Sequence, residues 1–207
     1  MHKKIIMACM AIAAFAAFVV APSASALNLT ENGTTVGAGA SITGTSTLAR
    51  FIAGGSTVTC DHNHMSGTVT TDSNGTIAGE IPVGSATFHG TAVSTDCTSN
   101  GLGPVQPTVN SKLCLHVSKS DTGTVTGCAG AAVTFTLHVT NLGIECKYEK
   151  AEIGIEITTA PADAQVKIRP GELAKGEGPN SIFCPKEGEL EMEFTLTTTD
   201  GTTLAFS

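Results

Sequence analysis

Apolar and polar residues alternate with a period of two through much of the second half of the chain. Val133, Phe135, Leu137 and Val139 interleave with Thr134, Thr136, His138 and Thr140. Ile153, Ile155 and Ile157 interleave with Glu152, Gly154 and Glu156. Leu190, Met192, Phe194 and Leu196 interleave with Glu189, Glu191, Glu193 and Thr195. Successive strand side chains point to opposite faces, so each run predicts an antiparallel strand with one face on a core. A slip of one residue would bury the glutamates, which specifies the register. Asp200-Gly201 predicts a last turn, and residues 204–206 a short closing strand.

The first half carries weaker signals of the same kind. Residues 27–52 are rich in Thr, Gly, Ser and Ala, with almost no charge and no helical period, and predict short strands joined by turns. Ser56–Cys60 predicts a strand. Residues 67–81 predict a hairpin about Asp72-Ser73-Asn74-Gly75, because Asn and Gly both tolerate positive φ. Residues 86–93 predict a further strand. Helical periodicity is absent, and only 161–165 suggests a single turn of helix.

Residues 113–129 predict a hairpin closed by its own disulfide. Lys119 to Gly123 are turn formers in a row. A turn centred on Asp121 sets Cys114 opposite Cys128 and Val117 opposite Val125. Directly opposed strand residues come close enough for an S–S bond.

Together these elements predict an all-β fold, an antiparallel β-sandwich of immunoglobulin-like or Greek-key type. The seven residues 101–107 hold two glycines and two prolines and read as a linker. The domain is therefore 27–207, with a possible split near 101–108 into two β lobes.

Composition places the chain in a compartment. Lys3 and Lys4, the apolar run 5–21 and Ala24-Ser25-Ala26 form a signal peptide over 1–26. Its removal takes two lysines and no acid, so the formal charge goes from −7 to −9. No basic patch offsets a nucleic-acid backbone, which excludes duplex partners. No later segment is long and apolar enough to span a membrane as a helix. The localisation expected is secreted: extracellular, periplasmic or cell surface.

Six cysteines remain after cleavage: Cys60, Cys97, Cys114, Cys128, Cys146 and Cys184. An even count in an exported chain predicts three disulfides. Cys114–Cys128 follows from the hairpin. The other four fit either Cys60–Cys97 with Cys146–Cys184, or a nested Cys60–Cys184 with Cys97–Cys146.

Candidate chemistry is sparse. Asp61-His62-Asn63-His64 would place His62 and His64 on one strand face, and His89 is the first choice for a third ligand of a zinc or copper ion. A sandwich with such a pair resembles copper–zinc superoxide dismutase in outline, without that family's glycine-rich histidine segments. His116 and His138 fall on polar faces and read as surface residues. No nucleophile elbow or phosphate loop occurs. Glu189, Glu191 and Glu193 share a face that alternation alone makes polar. The chain thus predicts a non-catalytic structural or binding protein at the cell envelope or outside the cell. It would act through its surface on a protein or small-molecule partner, with no cofactor. Fimbrial subunits share the export, the disulfides and the Thr/Gly-rich strands, and there an exposed edge would take a partner's strand. The alternative is a secreted metal-binding protein using the histidines, and a third reading is a hydrolase with an unrecognised site.

Overall fold

A computed structural model describes residues 26–91, 94–118, 121–159, 162–176 and 182–207. The expected signal peptide, up to Ser25, lies outside the described residues, as do Lys119 and Ser120 of the expected turn and the predicted strand end at Ala92 and Val93.

Among the described residues, eighteen strands follow one another. They are β1 (Leu29–Glu31), β2 (Thr34–Thr35), β3 (Ser41–Ser46), β4 (Ala49–Ala53), β5 (Ser56–Cys60), β6 (His62–Ser73), β7 (Thr76–Ile81), β8 (Ala86–His89) and β9 (Thr98–Ser99). Then come β10 (Val105–Val109), β11 (Leu113–Val117), β12 (Thr122–Gly127), β13 (Val133–Val139), β14 (Ile144–Lys150), β15 (Glu152–Thr158), β16 (Gln165–Lys175), β17 (Glu187–Thr198) and β18 (Leu204–Phe206). The chain is all-β, and named strands pair antiparallel throughout.

The main sheet closes on itself instead of stacking as the two layers of the expected sandwich. Its path β16-β15-β12-β11-β7-β6-β3-β17 returns to β16, which makes an eight-stranded barrel. Closure removes the free edges that a sandwich leaves. The bore of an eight-stranded barrel is just wide enough to be filled by side chains. Here glycines face large apolar partners across the strands. Gly44 sits between Leu196 and Met65, Gly67 opposite Ile42, Gly79 between Val69 and Leu115, and Gly123 between Val117 and Ile155.

The strands outside this barrel form a second ring. β4 pairs β17 and β5, β5 pairs β9, β10 pairs β13, β13 pairs β14, and β14 pairs β16. Next to β9, Cys97 N donates to Val105 O at 2.7 Å and Val105 N returns the bond to Cys97 O at 3.1 Å. The ring therefore closes too, and the β16–β17 hairpin belongs to both. The open half of that hairpin, Gln165–Ile168 against Met192–Thr195, lies in the barrel. A register shift between Ile168 and Gly171 carries its other half into the second ring.

Three expectations are corrected at the level of elements. Residues 101–104 are a tight loop held by Ser99, whose Oγ donates to Gly103 O at 2.7 Å and accepts from Leu102 N at 3.1 Å. Pro107, expected in a linker, stands within β10. Asn110 N bonds Thr134 O and Thr140 N bonds Pro104 O. Even-numbered residues of β10 thus face β13, and Pro107 has no ladder bond to lose. Gln165 opens β16 where the turn of helix was expected, and Pro161 lies outside the described residues.

The 113–129 hairpin is also shifted. Cys114 opposes Thr126, and Val117 opposes Gly123. Cys128 reaches back from a 3-10 turn, Cys128–Gly130, in which Ala129 has φ 58°. The Cys114–Cys128 disulfide forms across that curl with a Cα separation of 5.0 Å. The remaining cysteines pair side by side, Cys60–Cys97 and Cys146–Cys184.

The first and last described strands pair with each other. β18 and β2 flank β1, burying Leu29, Leu204 and Phe206. Asp72, near the end of β6, accepts from Leu29 N at 3.0 Å. Burial raises its carboxyl above the ordinary value, and the Leu29 bond offsets part of the rise.

Candidate functional site

The histidines expected as ligands occupy one outer face. His62 and His64 lie on β6 with Asn63 buried between them, and β8 sets His89 directly opposite His62. Asn63 fixes this end of β6, since its Nδ2 donates to Cys60 O at 2.8 Å and to Ser46 O at 3.3 Å. The three rings line a shallow polar groove with Asp61 and Glu193. Their three nitrogens do not all lie within 4.8 Å of one another. Among the described residues, the trio of donors within 4.8 Å of one another is Glu80, Cys114 and Cys128. Both sulfurs of that trio are spent in a disulfide, and Glu80 pairs with Lys112 at 2.5 Å.

The glutamates of β17 hold ordinary cross-strand ion pairs, Glu191 with Arg50 at 3.5 Å and Glu193 with Lys167 at 3.3 Å. His116 is exposed and His138 half-buried, each on a polar strand face.

Two apolar spaces lie inside the fold. The first, within the barrel, measures about 70 Å³ and is walled by Met65, Phe88, Leu115, Phe135 and Phe194 among others. It has little more than the share of liquid that two waters occupy, about 30 Å³ each. The second, within the second ring, measures about 590 Å³. That lies in the range of roughly 300–1,000 Å³ typical of small-molecule sites. Phe51, which lines the larger space, stacks edge-on against Phe88 at 5.8 Å and Phe135 at 6.0 Å, so an aromatic trio stands between the two.

The larger pocket is built by alternation. Val58 of β5, Leu137 and Val139 of β13, and Ile144, Cys146 and Tyr148 of β14 are the inward residues of their strands. Its mouth lies among three connections: the Gly54-Gly55 turn, the β13–β14 turn with Leu142, and the stretch 182–185. Leu142 is 61% exposed and Phe183 73%. The Cys146–Cys184 disulfide ties the last of these to β14. Pro185 packs on Gly54, where a Cβ would stand only 2.6 Å from the proline ring. Exposed large apolar side chains clustered at the mouth of an apolar concavity mark a binding surface more than an ordinary exterior does.

One polar feature stands out in that pocket wall. Tyr148 is 2% exposed, and its hydroxyl has no hydrogen-bond partner among the described residues. Leaving such a group unpaired costs about 1–3 kcal/mol. Burial also pushes its ionisation above the ordinary value of 10.0, so the phenol stays protonated at neutral pH.

The sequence reading missed this pocket. Its wall residues were visible as the apolar phase of β13, but the mouth residues sit in turns with no period. No family model, curated protein or solved structure matches the chain.

Proposed function

We propose that this is an exported, non-catalytic binding protein whose working surface is the apolar pocket of the second ring. The observation that carries the reading is a 590 Å³ apolar space whose rim presents Leu142 and Phe183 to solvent. A fold stabilising only itself gains nothing from that exposure. Three disulfides support an oxidising compartment, and among the described residues no helix is long and apolar enough to cross a membrane. The barrel itself has no open edge, and the edge strands outside it include the short β2 and β8.

The test is a fluorescence titration with N-phenylnaphthylamine, using protein purified from an oxidising compartment. Saturable binding at one site per chain is expected. Leu142→Glu, which sets a charge on the rim, is expected to weaken it about tenfold. No saturable binding contradicts the reading.

A second reading has its own observation, the direct opposition of His62 and His89. Cross-strand partners in a hydrogen-bonded pair stand about 5.5 Å apart at Cα, within reach of one ion through both rings, with His64 beside them. Zinc or copper bound there should vanish in the double variant His62→Ala/His64→Ala. Equal metal content in both proteins removes this reading.

A further inference from the structure

The pocket accounts for the inner side of its rim but not for the outer side. Ile182 is 90% exposed and is not among the residues that line the pocket. A molecule held inside would leave Ile182 in water. Its neighbour Phe183 and, on the β13–β14 turn, Leu142 are exposed by 73% and 61%. These tips stand on connections gathered at one end of the second ring. Leu142 and Phe183 share the pocket mouth, and Pro185 packs on Gly54. Thr140 N donates to Pro104 O at 3.1 Å, and a Cβ on Gly103 would stand 3.0 Å from Asn141 Nδ2. Residues 54–55, 100–104, 140–143 and 182–185 carry no charged side chain.

We propose that this end of the molecule docks on a lipid surface, with Leu142, Ile182 and Phe183 inserted among the acyl chains nearest the headgroups. Three observations select lipid over a protein partner or a second copy. The first is area. At roughly 200 Å² for a large side chain, the three tips expose on the order of 450 Å². A stable protein interface takes about 800 Å² from each partner. The second is charge. A protein interface is rimmed by polar and charged groups, and these four stretches hold no charge. The third is Ile182 itself, which an apolar phase covers together with Phe183 and without any matching polar groups. The Cys146–Cys184 disulfide fastens the 182–185 stretch to β14, so the tips are presented on a fixed base. Charges just behind them balance. Lys175 N donates to Lys186 O at 2.8 Å, which sets two lysines at the base of the connection. Glu187 follows Lys186, and Glu145 O accepts from Cys184 Sγ at 3.2 Å. The attraction is therefore apolar and does not select anionic lipid.

The test is flotation of the oxidised protein with phosphatidylcholine vesicles. The wild type is expected to float with them, equally at low and high salt, because screening does not touch an apolar contact. Ile182→Glu is expected to lower the ratio of bound to free protein about tenfold. It should leave N-phenylnaphthylamine binding without vesicles as in the wild type, since Ile182 lies outside the pocket. Val83→Glu alters a 59% exposed apolar residue on the β7–β8 turn and should float like the wild type. A second readout needs no variant. Lipid carrying a doxyl spin label should broaden the methyl signals of Leu142 and Ile182 and spare those of Val83.

If the wild type stays in the free fraction, or Ile182→Glu floats as well as the wild type, the proposal falls. If binding needs anionic lipid and is lost in salt, the contact is electrostatic and the proposal is wrong. If sedimentation velocity shows a dimer that Ile182→Glu dissociates, the patch is an interface between copies and the proposal again falls. None of these outcomes decides the pocket reading, which the probe titration without vesicles tests separately.

Discussion

At the scale of single residues the barrel depends on glycines where large side chains have no room. A Cβ on Gly123 would stand 2.5 Å from His116 O and 3.0 Å from a Val117 methyl. One on Gly67 would stand 2.6 Å from Glu80 O. Backbone cannot swing aside as a flexible side chain can, so Gly123→Ala and Gly67→Ala should each destabilise by about 1–3 kcal/mol, the usual cost of overpacking. Urea unfolding checks this, and unchanged midpoints would mean that the strands shift freely. Tyr148 gives a second prediction. Its phenol ionises above 10.0 in the fold because burial disfavours the anion. Below pH 10 both states hold the proton, so the group adds no pH dependence there. As pH rises from 10 toward the folded value, the unfolded chain releases its proton first, and stability should fall. A near-ultraviolet titration of the single tyrosine measures the shift. The inward residues were legible in the sequence as one phase of each alternation. Which glycine meets which large residue was not, because that needs the register between strands.

Elements were legible where a turn signal is local. Asn74 and Gly75, at φ 54° and 75°, make the expected two-residue turn of β6–β7. The 113–129 hairpin was displaced because turn formers run on for five residues, and nothing local picks the centre. The Cys114–Cys128 spacing matched a direct pairing only by coincidence, since Cys128 curls back from outside the ladder. Disulfides lend themselves to comparison at this scale. Replacing Cys146 and Cys184 together by Ala should weaken N-phenylnaphthylamine binding several-fold, because that bond holds the rim carrying Phe183. Replacing Cys114 and Cys128 should leave binding close to wild type. In stability the order follows loop length: separations of 37 and 38 against 14 predict about 4 against about 3 kcal/mol in the chain-entropy picture. Equal loss of binding in both double variants would detach the rim from the site.

For the whole molecule, a sandwich and a closed barrel share the same alternation, so the sequence shows strands facing a core but not how the sheet ends. Closure is set by pairings such as β3 with β17 and β7 with β11, which join residues far apart in the chain. The shared β16–β17 hairpin couples barrel and ring, and the buried apolar residues form one cluster across both. Calorimetry should therefore show a single transition with equal calorimetric and van't Hoff enthalpies, whereas two resolved transitions would mean that the rings fold independently. The most direct test of the central claim is isotope-filtered nuclear Overhauser spectroscopy of the labelled protein with unlabelled N-phenylnaphthylamine. Contacts from the probe's rings to methyl groups of Leu137, Val139 and Ile144 are the predicted result. Contacts confined to the groove around His62 and His89, or no contacts at saturating probe, would contradict it.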